Sequence, residues 1–280
     1  MKSFFSNLAE RKNKPNQGFE FFLKRWSIPG DARLTASILA TMTPQSAISP
    51  TLVERAPGRR ITIVAPHPDD ELMGPGGTLL RALSEGATAT VIYLTDGEVE
   101  SERAATRRHE ASSVAAALGY QPVFFGHRSA EAMLAGDAPL RLARAIEASQ
   151  PDVLFFPFVL DDNKEHRFAN FMLSAAIATD SGLAWRGDVW CYQVYSLVPG
   201  NVLVPLGEFA SKKADAIRLY KSQIEVRDWA TFALGMNAVN ARFTSRNCKD
   251  AYVESFLVLP LAQYVDAVRH WYPPQAQAIK

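Results

Sequence analysis

The chain has 280 residues, 48% hydrophobic and 21% charged, which suits one large globular domain or two small ones. A net charge of +1 removes the electrostatic case for a nucleic-acid partner, and two cysteines, Cys191 and Cys248, fit neither a disulfide framework nor a thiolate metal site. No apolar run approaches the roughly 18–20 residues that cross a bilayer.

Residues 1–58 read as an N-terminal extension: a helix near 17–27, a break at Pro29-Gly30, then a Thr/Ser/Pro-rich stretch to Pro57-Gly58. The opening MKSFFSNLAERKNK lacks the apolar core of a signal peptide, so the expectation is a cytoplasmic protein. Phe4, Phe5, Phe19, Phe21, Phe22 and Trp26 alternate with Lys and Arg. That pattern suits a helix lying on a membrane surface as a peripheral contact. It equally suits a helix packed on its own domain or on a second subunit of a homo-oligomer.

From Arg60 onward strands and helices alternate, and residues 59–280 read as one α/β domain. The first strand is 61–65, followed by a helix over 78–84 that ends before Gly86. A strand at 88–94 and a helix at 102–118, stopped by Gly119, come next. They are followed by a strand at 122–125 and an amphipathic helix at 140–148. A fourth strand is 153–156, with a helix from near His166 to 178; a fifth is 189–196. Beyond 200 the pattern loosens into a C-terminal lobe with a helix at 208–224 and a late strand at 256–259. Such alternation predicts a Rossmann-like, doubly wound, mainly parallel sheet of order 3-2-1-4-5, counted on these five strands. The first and fourth strands are then neighbours, and their carboxyl ends form the crevice where such folds bind ligands.

The first strand ends at Pro66 and delivers His67, Asp69, Asp70 and Glu71 to that edge. Of the five histidines, His67 follows the first strand and His166 follows the fourth, in LDDNKEHR. Topology therefore brings these two imidazoles together. Two imidazoles and one carboxylate are a usual protein ligand set for catalytic zinc, with the fourth position open to water. Adjacent side chains in an extended turn point apart. Asp70 is therefore assigned as ligand and Asp69 as the base that takes a proton from the attacking water. His109 sits inside a helix, and His270 in a polar-aromatic tail. His127, after the third strand, is a candidate for lining a substrate cleft. Asp96 ends the second strand and is either a turn residue or an acceptor that orients His67. Glu71 is read as a helix cap. The Gly74–Gly77 cluster lacks G-x-G-x-x-G, which argues against a dinucleotide site.

Pro66-His67-Pro68-Asp69-Asp70-Glu71 resembles the hallmark of the PIG-L/LmbE family of zinc-dependent de-N-acetylases. The likeness continues through Gly76-Gly77-Thr78-Leu79, Leu94-Thr95-Asp96-Gly97-Glu98, Arg107-x-x-Glu110, Lys213 with Ser222-Gln223, and Glu254-Ser255-Phe256. It covers roughly residues 60–260. The resemblance implies Zn2+ on His67, Asp70 and His166, Asp69 as general base, and hydrolysis of the N-acetyl group of an amino sugar or its conjugate. It also makes Arg107 a candidate for reaching the substrate pocket. One departure stands out: Asn163 occupies the place where the family often carries a His that assists the reaction. Asn can donate a hydrogen bond to an oxyanion but cannot shuttle a proton. The expectation is therefore an enzyme using Asn163 in that limited role, or alternatively an impaired or non-catalytic sugar-binding or partner-binding relative.

Overall fold

The computed structural model describes residues 50–271 apart from 99, 179–182, 199 and 245–247, with the side chains of 270 and 271 also undescribed. The helix expected near 17–27, its aromatic and basic face, and the His270 side chain lie outside the described residues.

Eight strands form one sheet in the order β1-β7-β8-β6-β5-β2-β3-β4. The strands are β1 (Thr51–Leu52), β2 (Arg60–Ala65), β3 (Thr88–Thr95), β4 (Gln121–His127), β5 (Val153–Pro157), β6 (Asp188–Tyr192), β7 (Val202–Pro205) and β8 (Val253–Pro260). The run β4-β3-β2-β5-β6 is parallel and reproduces the expected 3-2-1-4-5 order. Beyond it, β8 pairs antiparallel with both β6 and β7, and β1 adds a parallel edge to β7.

β2 is apolar on both faces because both faces are covered. Ile61, Ile63 and Ala65 pack in one layer with Leu72, Leu79, Tyr93, Ala111 and Tyr220, while Val64 joins the other with Leu154, Phe156 and Met172. The first layer holds α1 (Asp70–Met73), α2 (Gly76–Ser84), α3 (Ser101–Leu118), α6 (Phe209–Ile217), α7 (Lys221–Ile224) and α8 (Trp229–Ala241). The second holds α4 (Ala138–Ser149), α5 (Lys164–Ile177) and α9 (Leu261–Trp271). Burying each large aliphatic side chain in these layers contributes about 1.5–3 kcal/mol. Gly119, at φ 82°, closes α3 in the left-handed conformation that a C-cap requires.

Two boundaries differ from the sequence expectation for tertiary reasons. The strand expected over 189–196 leaves the sheet after Tyr192, because the backbone N–H groups of Tyr195 and Ser196 turn to Asp161 Oδ2 at 3.0 and 3.4 Å. The helix expected over 208–224 breaks into α6 and α7. The Tyr220 side chain between them is drawn fully inside to bond the Glu71 carboxylate at 2.6 Å. No helix among the described residues is long and apolar enough to cross a membrane.

Candidate active site

The carboxyl ends of β2 and β5 lie side by side, and each feeds a helix. After β2 the chain is pinned by Pro66, whose carbonyl accepts from Thr95 N at 2.9 Å and Thr95 Oγ1 at 3.0 Å. It then turns sharply at Asp69, a non-glycine residue at φ 109°, ψ −24°. A positive φ costs an L-residue on the order of 1–3 kcal/mol, and such strain persists only where the surroundings impose it. Here they do. Asp69 N–H donates to Glu71 Oε2 at 3.1 Å, Arg107 Nη2 donates to Pro68 O at 2.7 Å, and the Asp69 carbonyl accepts from Leu72 and Met73 in α1.

This turn sets His67 and Asp70 on one side, where His166 arrives from the first turn of α5. Three donor atoms form a near-equilateral triangle. Asp70 Oδ2 is 3.1 Å from His67 Nδ1 and 3.1 Å from His166 Nε2, and the two nitrogens are 3.3 Å apart. Tetrahedral bonds of about 2.0–2.1 Å set neighbouring donors roughly 3.3–3.4 Å apart. The three residues therefore have the spacing of a metal ligand set and are the group among the described residues that could hold an ion. Asp70 Oδ1 is buried without a hydrogen-bond partner, another sign that this carboxylate is shaped for a cation.

The electrostatics follow from burial. Burial pushes the His166 imidazole down, and the carboxylates of Asp70 and Asp161 more than reverse it, to about 10. Burial pushes Asp70 up, but His166 and His67 pull its carboxyl well below the usual range. Burial holds Asp69 well above the ordinary carboxylate value; Arg107, with Nη2 3.5 Å from Asp69 Oδ2, opposes that rise. Asp69 is thus a base of unusual proton affinity beside the triangle.

Other expectations sort by geometry. Asn163 is the N-cap of α5: its Oδ1 accepts from Glu165 N at 2.8 Å and His166 N at 3.4 Å, so its side chain orients the ligand helix. Asp96 turns to Arg108 at 3.0 Å rather than to His67. The carboxylate behind a ligand imidazole is Asp161, with Oδ1 3.3 Å from His166 Nδ1 at ion-pair distance without hydrogen-bond alignment. Its only sequence signal was an acidic residue five places before His166.

Arg107 is buried, bonding Pro68 O and, at 3.2 Å, Gly97 O, so it braces the turn. Glu110 does not pair with it and instead holds Ser222 N at 2.9 Å and Oγ at 2.6 Å. His127 lies apart from the triangle, in a cleft of about 330 Å³ lined by Asp96, Glu98, Ser101, Arg108 and Arg128. Its Nε2 has no hydrogen-bond partner among the described residues, and burial with Arg141 lowers its pKa. Glu71 does more than cap: its buried carboxylate accepts from Tyr220 and Tyr120, and burial raises it to about 7.

The chain is similar to several known proteins. The PIG-L family model, described as GlcNAc-PI de-N-acetylase, matches residues 62–177. A diacetylchitobiose deacetylase of Thermococcus kodakarensis is 24% identical over 199 residues, covering 61% of this chain and 72% of that protein. A 1D-myo-inositol 2-acetamido-2-deoxy-alpha-D-glucopyranoside deacetylase of Tsukamurella paurometabola is 55% identical over 40 residues, so the match spans only 14% of each chain. The structure of N,N'-diacetylchitobiose deacetylase from Pyrococcus horikoshii superposes with a TM-score of 0.59 at 20% identity, covering 79% of this chain and 89% of that one. GalB, a 4-carboxy-2-hydroxymuconate hydratase from Pseudomonas putida, superposes with a TM-score of 0.56 at 20% identity, covering 74% and 96%. The fold therefore houses more than one reaction, and the site must carry the functional argument.

Proposed function

We propose that this chain, whose residues 62–177 match the PIG-L family model, is a zinc-dependent hydrolase removing the N-acetyl group from an amino sugar or its conjugate. The observation that carries the reading is the triangle of His67 Nδ1, Asp70 Oδ2 and His166 Nε2 at 3.1, 3.1 and 3.3 Å, with a strained, buried Asp69 beside it.

His67, Asp70 and His166 would hold the ion. Zinc bound there would supply a Lewis acid and make the attacking water more acidic. The chain's own residues do the rest. Asp69 takes a proton from the attacking water as its oxygen bonds the acetyl carbon, and returns it to the nitrogen as the carbon–nitrogen bond breaks. Its raised proton affinity suits both halves of that exchange. Arg107 fixes the turn that aims Asp69. Asp161 places a negative charge at ion-pair distance behind the His166 imidazole and, by accepting from Tyr195 N–H, holds the loop after β6. Asn163 steadies the first turn of α5 and leaves proton transfer to Asp69.

A second reading is favoured by one observation. The Asn163 position offers no protonatable group, and its amide oxygen is committed to the helix cap. A protein that binds an N-acetylated sugar without turning it over fits that feature.

The test is acetate release over a panel of N-acetylated sugars, soluble and lipid-linked, with and without a chelator. Chelator-sensitive release abolished by Asp69→Asn supports the hydrolase. Metal binding and sugar binding with no release from any substrate moves the assignment to the second reading.

A further inference from the structure

The peptide unit that joins Pro68 to Asp69 is gripped on both edges. Its carbonyl accepts from Arg107 Nη2 at 2.7 Å, and its N–H donates to Glu71 Oε2 at 3.1 Å. The tilt of that plane sets the φ of Asp69, which stands at 109°. Rotating the plane would let φ return to the negative range that an L-residue prefers. The two bonds oppose that rotation, so they decide where the Asp69 carboxylate points.

One jaw of the grip is a guanidinium on α3. The other is a carboxylate with three buried tyrosines behind it. Glu71 Oε1 accepts from Tyr220 at 2.6 Å and from Tyr120 at 3.0 Å. The Tyr93 hydroxyl lies 2.9 Å from that of Tyr120 and 3.2 Å from that of Tyr220. Tyr120 and Tyr220 spend their protons on Glu71, so Tyr93 donates to one of them. The phenols come from three separate places: β3, the residue after the Gly119 cap of α3, and the junction of α6 and α7. All three sit in the apolar layer on that face of the sheet, where phenylalanine would fill almost the same space without burying a hydroxyl. What the hydroxyls add is direction. With Oε1 held by two donors the carboxylate cannot turn, and Oε2 stays on the Asp69 N–H.

The two jaws share one frame. Helix α3 carries Arg107 and leads into Tyr120, and its Glu110 binds Ser222, two residues past Tyr220. We propose that Tyr93, Tyr120 and Tyr220 are positioning residues of the reaction: through Glu71 they lock the Pro68–Asp69 peptide and thereby aim the Asp69 carboxylate. This inference rests on the de-N-acetylase reading and deepens it, since Tyr220 lies outside residues 62–177.

The experiment uses the full-length, metal-loaded Tyr120→Phe/Tyr220→Phe protein and the N-acetylated sugar that wild type turns over fastest. Its kcat should fall about 10–10²-fold with KM and zinc content unchanged. In the Asp69→Asn background the same two substitutions should leave the residual rate unchanged, because the group they aim is gone. An equal loss in both backgrounds overturns the proposal. A second readout needs no turnover. By amide hydrogen exchange of the metal-free chain, Asp69 N–H should exchange about tenfold faster in the double variant, with Ile63 of β2 unchanged. Tyr220→Phe alone, which removes the shorter bond, should show the same pattern to a smaller extent. Unchanged exchange at Asp69, or equal acceleration at Ile63, also overturns it. Faster exchange at Asp69 in a chain whose wild type releases no acetate keeps the lock and removes the hydrolase reading. Acetate release that the double variant leaves untouched does the reverse.

Discussion

Lys213 and Glu254 form an ion pair in the interior, Nζ to Oε1 at 2.8 Å, with the Lys213 side chain wholly buried and that of Glu254 nearly so. Lys213 Nζ also donates to Gly74 O and Asn237 Oδ1. Glu254 accepts from Gly77 N, Thr78 N and Thr78 Oγ1. The pair thus joins α6 and β8 to the chain just after the metal turn and caps α2 through a distant carboxylate. Removing one partner strands the other charge. Lys213→Met and Glu254→Gln should each cost about 3–5 kcal/mol, and the double variant less than their sum. Urea denaturation measures this; strictly additive losses would mean the pair is not energetically coupled.

Asp69→Asn keeps a residue that tolerates positive φ while removing the base. Acetate release should drop about 10²–10⁴-fold with zinc content unchanged. Asp70→Ala and His166→Ala should instead lose the metal. Elemental analysis beside the activity separates the two classes, and loss of zinc from Asp69→Asn would count against its assignment as base.

Metal and proton compete for His166. With the imidazole raised to about 10 in the metal-free chain, uptake near pH 8 must expel about one proton, and apparent affinity should climb about tenfold per pH unit below that value. For a base whose folded pKa lies above its unfolded value of about 6.5, the stabilising contribution is complete below pH 6.5 and fades as pH rises through 10. Metal-free protein should therefore melt lower at pH 10 than at pH 7 through this group. Calorimetry in buffers of different ionisation enthalpy reads the proton, and buffer-independent heats would contradict the prediction.

Glu71 gives a pH signature of the same sign in a lower window. Burial raises it to about 7, so folding favours its neutral form, and stability from this group declines as pH climbs from the usual carboxylate range toward 7. Glu71→Gln removes that decline. A glutamine oxygen can still accept from Asp69 N–H, and its amide can donate to the tyrosine oxygens. The melting temperature of the variant should vary less between pH 4.5 and 7 than that of the wild type; parallel curves would refute the assignment.

The sheet was legible because 61–65 and 153–156 are short apolar runs covered on both faces, and strand order followed from crossover handedness. His67 and His166 were legible for the same reason: each follows a strand whose place in that order is fixed. What the sequence did not disclose depends on contacts far apart in the chain. Tyr220 interrupts a helical pattern because of Glu71, 149 residues away. Asp161, rather than Asp96, stands behind a ligand because Asp96 is captured by Arg108 across a turn. β7 is four residues ending in proline, too short to show a period, and is a strand only because β8 lies beside it. Arg107 and Glu110 look like an i,i+3 surface pair, yet one bends inward to the Asp69 turn and the other outward to Ser222.

The twisted backbone at Asp69 has an implication for directed evolution. Glycine there would relax the turn, since it alone adopts positive φ freely, while deleting the carboxylate. A library sorted only for heat tolerance will therefore enrich sturdy chains that have lost turnover, and position 69 is where selection for durability and selection for catalysis part company.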